Sequence, residues 1–260
     1  MITEFTLLIP LLILYGFGII GWKTILIVAF TWYWLPKFLF LDMFLEKFYP
    51  QIITHNKNHS QHFDNNGNKL IALTFDDMPY GYHEQIIKLL DFHNMKGTFF
   101  IISSYVNDRN RQTLVNAVKN GHQLANHGKT NWMHAILSID ALVNEMYDCD
   151  QLIKKIYEEA NVQIPDQMYY RPSCGLFTTK MLNIVKECDY KLALGSVYPN
   201  DPVIKSPQMN FWYIRLHIEP GDVVITHDRA WTPQMLQELL PYLTNNNYKS
   251  VTLNNLFNNK

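Results

Sequence analysis

Asp76 and Asp77 stand side by side after a short apolar run, Leu70 to Phe75. Neighbouring side chains on extended backbone leave on opposite faces, so the two carboxylates point to different tasks around one centre. One can bind a metal while the other takes a proton. A neutral imidazole beside a carboxylate suits a zinc-like divalent ion, and three protein ligands with one position left open would activate water. His127 and His134 are the natural partners for such a site. They lie seven residues apart, which on one continuous helix is a rise of about 10.5 Å, too far for two ligands of one ion. The chain between them must loop, and Gly128, Lys129, Thr130 and Asn131 suit a loop. His122, or a ligand from elsewhere in the chain, is the alternative to His134.

The elements that must position these residues alternate. Strand patterns occur at 70–75, 97–102, 122–126, 168–171, 192–196, 223–226 and 248–253. Helical patterns lie between them, around Ile86 to Leu90, at 113–119, from a Ser138 cap, at 178–188 and from Thr232-Pro233 onward. In the helix after Ser138, the apolar positions Ile139, Leu142, Val143, Met146, Leu152, Ile153 and Ile156 keep helical spacing and read as core. Strands separated by helices imply parallel pairing through right-handed crossovers, in an open sheet or a closed barrel. Both place catalytic side chains at the carboxyl ends of strands, where Asp76-Asp77, His127, Arg171 and His227-Asp228 all fall. That coincidence is the main functional signal. Taken singly, each residue has a plain structural role: a solvated turn for the Asp pair, a core histidine, a surface ion pair for Arg171.

Composition bounds the rest. In 260 residues, 48% apolar content supports a real core, and a formal charge of -1 gives no field to attract nucleic acid. Three irregularly spaced cysteines form no disulfide framework. Residues 5–22 carry no charge, and a second uncharged stretch runs over 24–36 with Trp22, Trp32, Tyr33 and Trp34 at its flanks and end. With Glu4 ahead of the first run and no small-residue cleavage site after it, residues 1–46 read as an uncleaved membrane anchor of one or two apolar helices, sidedness open. Residues 47–68 read as a polar linker and 69–260 as the catalytic domain.

From residue 69 to about 256 the chain resembles the polysaccharide deacetylase family, the NodB-homology domain of carbohydrate esterase family four. Thr74-Phe75-Asp76-Asp77, Asn126-His127 with His134, Arg171-Pro172-Ser173-Cys174-Gly175 and Ile225-Thr226-His227-Asp228 follow the order of that family's motifs. The resemblance implies an α/β fold, a distorted (β/α) barrel of the NodB-homology type, preceded here by the anchoring segment. It implies Asp76 as general base, His227 as general acid, and Arg171 orienting Asp76. It further implies Asp77, His127 and His134 on a divalent metal, usually zinc, with the Cys174 backbone amide stabilising an oxyanion. Tyr198, Trp132, Trp231 and Phe177 are candidates for stacking on sugar rings or lining an acetyl pocket.

The activity so implied is metal-assisted removal of N-acetyl groups from an N-acetylglucosamine-containing glycan or oligosaccharide. A glycan-binding barrel without catalysis and a deacylase of a non-sugar amide are the alternatives. The chain departs from the family pattern in three places: its histidines are seven rather than four apart, Met78 stands where glycine is common, and the fourth motif is loose. Ser196 to Asp201 matches the fourth motif loosely, with Asp201 as a residue that could tune His227.

Overall fold

The computed structural model describes residues 23–24 and 45–258. The apolar stretches 5–22 and 24–36, expected to anchor the chain, lie outside the described residues but for Thr24. Among the described residues no helix is long and apolar enough to cross a membrane.

The elements of the folded domain run β1 (Lys69–Met78), α1 (His83–Phe92), β2 (Gly97–Ile101), α2 (Asp108–Lys119), β3 (Gln123–Asn126), α3 (Ile139–Ala160), β4 (Met168–Tyr170), α4 (Thr179–Glu187), β5 (Tyr190–Leu192), α5 (Pro207–His217), β6 (Val223–His227), α6 (Thr232–Asn245), β7 (Tyr248–Ser250) and α7 (Leu253–Asn258). The strands are parallel in the order β5-β4-β3-β2-β1-β6, with β7 pairing the start of β1. Past β5 the chain continues through single bridges, Ala193 to Ile53 and Val197 to Val224 of β6. That last bridge joins the chain beyond β5 to β6 and closes the sheet into an irregular barrel, as expected. Helix starts are capped by side chains that accept orphan amides: Asn107 for α2, Ser138 for α3, Thr178 for α4 and Ser206 for α5.

β1 is the axis of the domain. All of it beyond Lys69 is buried, because helices cover the sheet and neighbours flank the strand on both edges. Leu70, Ala72, Phe100, Ala125, Tyr169, Ala193 and Val223 of the sheet and its extension pack with Leu253 and Leu256 of α7. The strand runs on through Asp76, Asp77 and Met78 with an irregularity in its pairing to β2, so both carboxylates sit in the strand end rather than after it.

Three expectations change. The buried stripe of α3 is Leu142, Met146, Cys149, Ile153, Ile156, Tyr157 and Ala160, whereas Ile139 and Val143 are exposed at 53% and 37%. The stripe faces α2, β3 and α4, and a residue one position off it turns about 100° away. The strand expected over 192–196 is only the end of β5 followed by bridges, since the backbone changes partner there: the Leu194 N–H donates to the Ile53 carbonyl and the Ser196 N–H to the Val223 carbonyl of β6. Residues 51–68, expected as a linker, belong to the compact domain: Ile53 bridges Ala193, His55 bridges Asp222, and Ile52, Thr54, Asn56 and His62 are buried. Asn56 anchors this segment by donating its amide to the Leu256 carbonyl at 2.6 Å.

Candidate active site

The strand ends converge as parallel topology requires. Asp76 of β1 is the register partner of His227 in β6, and Asn126 at the end of β3 is that of Tyr170 in β4. His127 and Arg171 follow directly on those last two residues, so four motifs meet at one rim.

Asp76 is buried against an equally buried arginine. Arg171 Nη1 donates to Asp76 Oδ1 at 2.5 Å and to Thr74 Oγ1 at 2.8 Å, while Nε and Nη2 donate to the Ala193 and Leu194 carbonyls at 2.9 and 3.0 Å. The guanidinium lies 3.9 Å over the Phe100 ring. Four of its five N–H donors are used and all three nitrogens are tied, so the side chain has one position and fixes the Asp76 carboxylate with it. The Arg171 carbonyl accepts from His127 Nδ1 at 2.6 Å, which turns Nε2 toward Asp77.

His227 is held by Asp201, whose carboxylate accepts from the ring Nδ1 at 2.8 Å and from the backbone N–H at 3.0 Å. Burial disfavours the imidazolium, but the Asp201 charge and hydrogen bond, with Asp76 and Asp77 behind, push the ring up to about 9. Asp228, next in sequence, faces the other way. Its buried carboxylate accepts the backbone N–H groups of Tyr80 at 2.5 Å, Gly81 at 3.0 Å and Tyr82 at 2.7 Å. It thereby fixes the turn between β1 and α1, a role that its place in a motif did not reveal.

Asp77 sits at φ 60°, in the left-handed region that Asp tolerates, and this turns its side chain away from that of Asp76. Its Oδ1 lies 3.5 Å from His127 Nε2. Its Oδ2 accepts from Nη2 of Arg229. Burial alone would raise the Asp77 carboxyl, but His127, His227 and Arg229 hold it well below the usual carboxylate range.

His134 does not join this pair. The chain loops back between the two histidines as expected, and Gly128 at φ 80° allows it, since a Cβ there would collide with the His134 ring. The ring, however, faces β4 and α3. Its Nδ1 accepts from the Tyr170 hydroxyl at 2.7 Å and from the Ser173 backbone N–H at 3.3 Å. The proton is thereby assigned to Nε2, which lies 3.2 Å from the Thr130 carbonyl and 3.8 Å from a Glu145 carboxylate oxygen. No lone pair is left for a metal. His122 is committed too, accepting from the Gly97 N–H at 3.0 Å and lying 3.1 Å from Asp91. Among the described residues no three His, Cys, Asp or Glu side chains converge on one point. Asp77 and His127 are two donors where a catalytic divalent site takes three, so the residues present do not fit that site.

Two neutral, buried histidines make the domain acid-sensitive. Burial pushes His122 and His134 from 6.5 down to about 4. Between those values the unfolded chain takes up protons that the folded chain refuses. Their contribution is therefore intact above about 6.5 and is lost as pH falls toward 4. The thermal midpoint should drop over this window, and less steeply in His134→Gln; equal slopes in the two proteins would rule out His134 as a source.

The remaining expected residues are spread around the rim. Tyr198 lies beside His227 with ring centroids 6.1 Å apart. Trp231 is half-buried at the start of α6, its indole N–H buried without a partner, and Phe177 is half-buried. Trp132 is 62% exposed in the loop before His134. Cys174 sits in a helical turn, Ser173–Gly175, at φ 64°, and burial raises its thiol, which leaves its backbone rather than its sulfur as the useful group. An open groove of about 610 Å³ runs beside the turn after β1, lined by Tyr80, His83, Glu84, Tyr105 and Arg109 among others. The sequence reading missed Arg229, although it follows His227-Asp228 directly.

Known proteins share the fold. Over 202 residues the chain is 29% identical to a peptidoglycan-N-acetylglucosamine deacetylase of Bacillus cereus, covering 75% of this chain and 91% of that protein. Three other curated relatives are longer, and the chain matches between 31% and 61% of them. Among solved structures, the deacetylase domain of a multidomain xylanase from the hindgut metagenome of Trinervitermes trinervoides superposes with a TM-score of 0.66 at 27% identity, over 74% of this chain and 91% of that one. A family-four pseudoenzyme from Bacillus anthracis shares the fold, with a TM-score of 0.67 at 21% identity over 82% and 70% of the two chains. Deacetylases of this family are generally metal-dependent hydrolases of amide bonds in acetylated sugars. The sequence model of the polysaccharide deacetylase family matches residues 63–193, half of the chain, and with the barrel and the rim of ordered motifs this places the protein in that family.

Proposed function

We propose that this chain hydrolyses the N-acetyl amide of N-acetylglucosamine-containing glycans or oligosaccharides, with peptidoglycan strands as the favoured source given its relatives. The observation that carries this reading is the register pairing of Asp76 with His227 on adjacent strands, each locked by its own buried partner, Arg171 and Asp201. In this reading Asp76 takes a proton from water as the oxygen attacks the acetamide carbon. The backbone N–H of Cys174 offers the oxyanion a donor, and His227 gives its proton to the departing nitrogen as the C–N bond breaks. Water and amide become acetate and a free sugar amine.

Acetate release from N-acetylglucosamine oligomers by the full chain tests this. Because His227 must enter protonated, the rate should fall as pH rises through about 9, and Asp201→Asn should move that fall to lower pH. Cleavage of simple amides without turnover of any acetylated sugar would replace the substrate class. A second reading, a glycan-binding barrel without catalysis, is favoured by the hydrogen bonds that take both nitrogens of His134. Saturable oligomer binding with no acetate release would select it.

A further inference from the structure

The position beside Asp77 already has a cation. Arg229 Nη2 donates to Asp77 Oδ2, Nη1 donates to the Asp228 carbonyl at 3.0 Å, and the guanidinium carbon lies 4.6 Å from the centre of the Tyr80 ring. The group is tied to the rigid turn that Asp228 fixes, not swinging from a free stem, and its side chain is 19% exposed. The second histidine of the family, four residues after the first, corresponds here to Asn131, which is exposed. His134 is committed to Tyr170, Ser173 and Thr130.

We propose that Arg229 is the resident cation of this site, neutralising Asp77 in the place a divalent ion would take and keeping the Asp77–His127 pair free of metal. A guanidinium is permanently charged and bidentate by geometry, so it satisfies a buried carboxylate without any third ligand. A divalent ion offered only Asp77 and His127 would have to displace that charge and recover too few bonds in return. This exchange of cations stands whether the chain deacetylates glycans or only binds them.

Zinc and cobalt titrations on the full chain, followed by calorimetry, elemental analysis and the cobalt d–d absorption, decide it. Wild type and Arg229→Lys should bind no stoichiometric metal at the site. The double variants R229A/N131H and R229Q/N131H should bind zinc at least about tenfold more tightly than wild type and give a tetrahedral cobalt spectrum. Circular dichroism checks that each is folded, and the glutamine version preserves bulk should the alanine version fail. One equivalent of zinc in wild type that disappears in Asp77→Asn would overturn the proposal. So would folded double variants that bind no more metal than wild type.

Discussion

Asp76→Asn should lower acetate release by about 10²- to 10⁴-fold, the range that a positioned general base supplies. The substitution keeps the shape of the side chain and one oxygen able to accept from Arg171 Nη1, while Arg171 retains its bonds to Thr74, Ala193 and Leu194. What is lost is the capacity to take a proton. Because the variant also leaves a buried guanidinium without its counter-charge, its denaturation midpoint has to be measured beside its rate. A folded Asp76→Asn protein with wild-type turnover would remove Asp76 from the chemistry and leave His227 without the partner assigned to it. Loss of turnover with wild-type oligomer affinity would instead separate the chemical step from binding.

Arg171→Ala should be the most destabilising single change in the domain, by about 3–5 kcal/mol, as expected when one partner of a buried ion pair is removed. The cost has three parts. Asp76 is stranded at 4% exposure, two carbonyls lose their donors, and a cavity opens over Phe100. Against a net stability of about 5–15 kcal/mol for a typical domain, that removes about a third of the stability at the middle of the range and nearly all of it at the low end. Urea denaturation with the m-value held constant measures it. Arg171→Lys should recover only part of the loss, because a single ammonium cannot serve Asp76 and the carbonyls of Ala193 and Leu194 together. A cost below about 1 kcal/mol in the alanine variant would mean that water enters and replaces the guanidinium, so that Asp76 is not dry.

Much of the architecture was legible because it follows from local pattern. The alternation of strand and helix signals implied parallel pairing, and parallel pairing alone places Asp76, His127, Arg171 and His227 at one rim. The caps Ser138 and Thr178 were readable for the same reason, since a hydroxyl before a helix satisfies an orphan amide. The helix after Ser206-Pro207 carried the same signal and was overlooked. Segment 51–62 was not readable in this way. Its Asn and His residues have a polar, linker-like composition, yet Asn56 and His62 are buried by bonds to the Leu256 carbonyl and the Asn56 carbonyl. Composition cannot register bonds that close between residues 200 positions apart.

The sequence by itself determined the family, the strand ends that carry chemistry, and the Asp76–Arg171 and His227 assignments as candidates, because each of these depends on residue type and order along the chain. Only the tertiary structure decided what stands beside Asp77. Whether a histidine offers a lone pair depends on which of its nitrogens already has a partner, and His134 finds its partners on Tyr170, Ser173 and Thr130. Whether a carboxylate is short of a cation depends on what folds against it, and Arg229, 152 residues from Asp77, supplies one. Hydrogen bonds and charge pairs of that kind are set by distances in space, which residue spacing along the chain does not encode.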